Sequence, residues 1–173
     1  MSSVIASSLA ASLLFAAPAA HVAEETLTAR VLVDVCLPYA QRSQSFEKSI
    51  RAARDLGFRR PVGDQAPLDE WASEIDLVSN DGAWRLRIEE GSVEVGEGEA
   101  YAAGCSLSSN RASARELTRF GGRAFGDEEK WASEDGAAVW SRRTSRPEEY
   151  RLEARVTEAP GELPALVVRG LYF

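Results

Sequence analysis

Three stretches of this chain alternate apolar and polar residues with a period of two. Trp84, Leu86 and Ile88 interleave with Arg85, Arg87 and Glu89, and Tyr150, Leu152, Ala154 and Val156 interleave with Arg151, Glu153 and Arg155. Tyr101, Ala103, Cys105 and Leu107 recur at every second position in the same way. Neighbouring side chains of a strand point to opposite faces, so this pattern predicts a sheet with one face in a core and the other polar. One-sided sheets of that kind are antiparallel. Val93 and Val95 predict a further short strand between a turn at Gly91 and another at Gly96-Glu97-Gly98. Strands are also expected over 137–142 and 165–173; the last is apolar on both faces and reads as central and covered.

Helical spacing occurs in two places. Phe46, Ile50, Ala53 and Leu56 fall on one face of a helix expected from Ser43 to Leu56, capped by Ser43 and stopped by Gly57. Pro38 suits the first turn of a helix near Cys36-Leu37-Pro38-Tyr39. A second helix is expected to start at Ser109 or Ser113, where Ser113-Ala114-Arg115-Glu116 fits a capping box; Leu117 and Phe120 supply its apolar face, and Gly121-Gly122 predicts its end. Asp127-Glu128-Glu129 suits one more short helical turn. A loop is expected over 59–69. The resulting order is helix, three strands, helix, three strands: an α+β fold with helices on one face of an antiparallel sheet. Trp71-Ala72-Ser73-Glu74 recurs as Trp131-Ala132-Ser133-Glu134, and Arg51 to Leu56 resembles Arg111 to Leu117. With the mirrored order, these matches suggest an α-βββ duplication.

Residues 1–23 carry no formally charged side chain. Leu9 to Ala17 is a short apolar run followed by Pro18 and small residues, which is the pattern of a secretory signal with cleavage near 19–23. The segment ahead of that run lacks Lys and Arg. Residues 24–173 are expected to form a single domain, and no membrane span is expected after processing. An apolar fraction of 45% and a charged fraction of 27% suit a folded domain rather than a disordered one. The net charge of −7 argues against nucleic acid and against an anionic membrane surface, and favours a cationic partner. All but two of the 20 basic residues are Arg, the exceptions being Lys48 and Lys130.

Cys36 and Cys105 are the two cysteines. A small even number in an oxidising compartment suits a disulfide, here closing a loop of about 70 residues worth about 4 kcal/mol. Two buried free thiols and a reactive thiol are the other readings. His21 is the one histidine, beside the expected cleavage site, so neither a serine triad nor a zinc site can be assembled. No Walker motif occurs, and no cofactor or metal is expected; Asp76, Asn80 and Asp81 lack EF-hand spacing.

Glu89, Glu90, Glu94, Glu97 and Glu99 crowd one hairpin. They suit a solvated acidic face, with a carboxylate-pair hydrolase as the catalytic alternative. Of the four tryptophans, Trp71 and Trp131 follow loops and lie near acidic residues, which makes them candidate interface anchors together with Glu94, Glu97 and Glu99. Burial in the core is the leading reading for all four of Trp71, Trp84, Trp131 and Trp140.

Val35-Cys36-Leu37-Pro38-Tyr39, the helix end Leu56-Gly57-Phe58, and Gly104-Cys105-Ser106-Leu107 together resemble small exported proteobacterial proteins of unknown function, over roughly residues 31–110. The resemblance implies export and a Cys36–Cys105 pairing, and no activity. The functional expectation is a periplasmic or secreted binding domain without catalysis, whose partner is a protein or envelope component. Its sharper form is an inhibitor of a cationic envelope-attacking enzyme.

Overall fold

The computed structural model describes residues 26–63, 72–125, 130–132, 138–142 and 149–173. The expected signal segment, Trp71, the 127–129 turn and part of the 59–69 loop lie outside them.

The first element, α1, is helical from 26 to 40 and includes a wide π-helical turn at Leu32–Cys36. Thr28, Val31, Leu32, Val35, Cys36, Tyr39 and Ala40 recur one and three residues apart and are all buried, while Val33 between them is 56% exposed. The wide turn ends just before Pro38, where the Leu37 amide bonds to the Leu32 carbonyl. A proline ring collides with the carbonyl four residues back, and the wider turn makes room for it.

A second helix, α2 (Phe46–Asp55), buries Ser49, Ile50 and Ala53. Its cap is Ser45, whose hydroxyl accepts from the Lys48 amide at 3.4 Å. Ser43, the expected cap, instead closes the end of α1 by donating to the Pro38 carbonyl at 3.0 Å. Gly57, at φ +87°, ends α2 in a conformation glycine adopts without steric cost.

Eight strands follow in two runs of four. They are β1 (Phe58–Arg59), β2 (Glu74–Ser79), β3 (Trp84–Val95) and β4 (Gly98–Ser109), then β5 (Lys130–Ala132), β6 (Ala138–Arg142), β7 (Tyr150–Thr157) and β8 (Ala165–Tyr172). Between the runs lies α3 (Ala114–Phe125). All eight join one antiparallel sheet in the order β1-β2-β3-β4-β8-β7-β6-β5. The order reads the same outward from β4 and β8 in both directions.

The α+β architecture stands, and among the described residues the expected order is corrected to two helices, four strands, one helix and four strands. Gly91 does not turn the chain: it sits inside the continuous β3, paired with Ala102. Ser92 to Val95 therefore extend β3 rather than forming a strand of their own. Ile75 and Leu77 build β2, a strand not singled out in the sequence. The Arg51 and Arg111 segments are not equivalent in position, since Arg51 lies inside α2 and Arg111 precedes α3.

Glycines 121 and 122 do not end α3 either. A Cβ at Gly121 would lie 2.5 Å from the Trp140 ring, so this glycine lets α3 approach β6 closely. The capping box forms as expected: the Ser113 amide donates to Glu116 at 2.9 Å, and the Glu116 amide to the Ser113 hydroxyl at 3.3 Å. The last strand is central, between β4 and β7.

The main core lies between the sheet and the helices. Trp84, Leu86, Ile88, Cys105, Leu107, Trp140, Leu152, Ala154, Leu166 and Val168 face the apolar sides of α1, α2 and α3. Each fully buried large apolar side chain contributes roughly 1.5–3 kcal/mol. Cys36 of α1 and Cys105 of β4 are disulfide-bonded in this layer, with their Cα atoms 5.4 Å apart. Arg85, Arg87 and Glu89 alternate onto the opposite, exposed face. No helix among the described residues is long and apolar enough to cross a membrane.

Candidate functional site

The hairpin of β3 and β4 is longer than its neighbours. β2 pairs with β3 over Arg85 to Glu89, and β8 pairs with β4 from Tyr101 to Ser108. Beyond those residues the two strands pair with each other as far as Val95 and Gly98. Val93, Val95, Ala100, Ala102 and Leu171 pack into a small second cluster, away from the main core, that stiffens the outer part. Gly96 supplies the positive φ the turn requires.

Strand alternation sorts the acidic residues. Glu90, Ser92 and Glu94 share a face of β3 with Glu99, Tyr101 and Ala103 of β4, and Glu94 pairs directly with Glu99. That face is continuous with the helix side of the sheet. Glu94, Glu97 and Glu99 are all exposed. They sit on a projecting ribbon, so the opposed environments that a two-carboxylate hydrolase needs are absent from them. Trp131 lies in the edge strand β5. The hairpin therefore brings Glu94, Glu97 and Glu99 together, while the strand holding Trp131 is four places along the sheet from β4.

Where the acidic face meets the helices it runs into an aromatic cleft, which sequence reasoning did not find. Tyr39 and Arg42 come from the end of α1, Glu90 from β3, Tyr101 from β4 and Tyr172 from β8. The Arg42 guanidinium lies 4.8 Å from the Tyr101 ring centre and 5.3 Å from that of Tyr172. Its nearer charged partner is Glu90, at 3.8 Å. Beside this group opens a hollow of about 390 Å³, lined by Tyr39, Arg42, Gln44, Phe46, Glu47 and Glu90 among others.

The backbone that delivers Arg42 is unusual for its residue type. The Ser43 amide donates to the Pro38 carbonyl at 3.0 Å, and the Arg42 amide to the Tyr39 carbonyl at 2.9 Å. These two bonds define a Schellman ending, whose left-handed position glycine normally fills. Here it holds Arg42, at φ +52°. A non-glycine residue in this conformation costs about 1 kcal/mol. The same ending is anchored to the sheet: the Tyr172 hydroxyl donates to the Ala40 carbonyl at 2.7 Å. A Cβ at Gly170 would collide with that carbonyl, so glycine there lets the helix end settle on β8.

The phenols of this cluster hold their protons. Burial, then the adjacent Glu90 carboxylate, pushes the Tyr39 hydroxyl far above the ordinary tyrosine range. Tyr101 is raised by the same two causes in the same order. Tyr172 is raised by burial first and then by its neighbour Tyr150, whose ring centre is 4.9 Å away. Such groups are neutral donors and ring faces at physiological pH, unsuited to proton transfer. Together with one carboxylate they attract cations.

Elsewhere, polar side chains are committed to structure. Asp81 accepts from the Ser79 hydroxyl at 2.6 Å and the Ala83 amide at 3.1 Å, and pairs with Arg111 at 2.8 Å. Asp76 pairs with Arg87 at 3.2 Å, and Glu74 with the same guanidinium at 3.7 Å. The carboxylates weighed for calcium thus have partners within the fold. Comparison with protein-family models, curated proteins and solved structures finds no match to this chain.

Proposed function

We propose that this chain is an exported binding domain without catalysis, and that it recognises a cationic surface of another protein through the β3–β4 hairpin. The observation that carries this reading is the continuous acidic face of Glu90, Glu94 and Glu99, with Glu97 at the tip, leading into a cleft where a guanidinium already rests on two tyrosine rings. A net charge of −7 adds a long-range field of the same sign. Export is supported by the apolar segment before Pro18 and by the disulfide, a bond that persists outside a reducing cytosol. The palindromic strand order is consistent with an internal duplication.

The sharper form is an inhibitor of a cationic envelope-attacking enzyme, with the projecting ribbon as the inserted element. Lysozyme is a suitable probe. Calorimetric titration is expected to give binding of about micromolar strength at low ionic strength, weakening as salt screens the charges. A cationic partner that shows no heat and no binding at low salt contradicts the reading.

A further inference from the structure

Arg42 is a side chain placed where the backbone favours glycine. The comparable end of α2 uses Gly57, so this fold does use glycine at such a stop. The guanidinium so delivered sits between Tyr101, Tyr172 and Glu90, an arrangement that suits any planar cation. Its ion pair with Glu90 is long, 3.8 Å, beyond the reach of a charge-assisted hydrogen bond. Tyr39, beside the same carboxylate, is 3% exposed and lines the hollow, and its hydroxyl makes no hydrogen bond of good geometry. The seat thus has a hollow beside it, a buried phenol facing its carboxylate, and an occupant that half faces solvent.

We infer that Arg42 is an internal stand-in for a partner's arginine: the Glu90, Tyr39, Tyr101 and Tyr172 seat receives an arginine side chain from the bound protein, and the Arg42 guanidinium swings out to admit it. The inference rests on the cationic-partner reading above and names the group recognised. Arginine fits better than lysine because a planar guanidinium stacks on phenol rings while its edge reaches a carboxylate.

Ethylguanidinium is the test probe, followed by the ring resonances of Tyr101 and Tyr172. Arg42→Gly removes the occupant and suits the left-handed backbone; Arg42→Asn, which also tolerates that conformation, is the second variant. Both are expected to bind the probe at least about tenfold more tightly than the wild-type chain, with shifts at the two rings, and to lose this on adding Glu90→Gln. Equal affinity in variant and wild type, or shifts away from these rings, overturns the inference. A parallel arm uses a peptide of alternating Arg and Gly against Glu94→Gln/Glu97→Gln/Glu99→Gln. Peptide binding that falls in the triple variant while ethylguanidinium ignores Arg42→Gly retains the hairpin reading and removes the stand-in. Loss of peptide binding by the wild-type chain removes both.

Discussion

At the scale of single residues, several positions are set by close approach rather than by propensity. Alanine is a better helix former than glycine, yet Gly121→Ala is expected to destabilise the protein, because its methyl group would press on the Trp140 ring. Overpacking of this kind costs roughly 1–3 kcal/mol, readable as a lower urea midpoint with an unchanged slope. Asp81 gives a pH-dependent case. Its carboxyl is held below the usual range, first by the Ser79 hydroxyl, then by the Ala83 amide, with Arg111 adding to the effect. A depressed folded-state pKa contributes stability above the unfolded value, and that contribution disappears as pH falls through the folded one. Asp81→Asn should therefore cost about 1 kcal/mol at neutral pH, a modest figure because the side chain is half exposed. The deficit should narrow below about pH 4. Denaturant melts across that range check it; a deficit that stays constant with pH excludes the carboxylate as its source.

Elements differ in how much of them could be read from sequence. The α+β class, the core face of β3, β4 and β7, the central place of β8 and the α3 capping box were legible, because each rests on local periodicity or a four-residue signature. Gly91 and Gly121 misled for one reason: a glycine marks either a turn or a close contact, and the difference depends on a distant partner such as Trp140. In α1, the one-and-three spacing of Val31, Leu32, Val35, Cys36, Tyr39 and Ala40 was a readable helical signal obscured by Pro38, which the wide turn accommodates. The cleft was not legible, since Tyr39, Glu90, Tyr101 and Tyr172 meet only through the register of three strands and the end of a helix.

The link between those elements is the disulfide. Cys36 and Cys105 tie α1 to β4 across 69 residues. Removing the bridge with Cys36→Ser/Cys105→Ser should lower stability by about 4 kcal/mol in the chain-entropy picture, less where the unfolded chain keeps residual structure. Because α1 carries Tyr39 and Arg42, the cleft should loosen along with it. The measurement is the urea midpoint of the native and variant chains, with tyrosine fluorescence as a second probe. A variant as stable as the native chain contradicts a structural role for the bond.

Across the whole molecule, the two faces of the sheet carry different work. The helix-covered face holds the core and, at its margin, the anionic aromatic seat; the other face balances Arg87, Arg151 and Arg169 against acidic neighbours. Glu94, Glu97 and Glu99 stand together, exposed, at the end of the hairpin. A basic partner should therefore meet the ribbon first and the cleft second, with an association rate that falls steeply with ionic strength. Residue-resolved amide shifts, recorded while a peptide of alternating Arg and Gly is added to the labelled chain, test this most directly. Perturbations are expected to concentrate on residues 90–101 and around Tyr39 and Tyr172. Perturbations confined to the Arg85 and Arg87 face, or none at low salt, would contradict it.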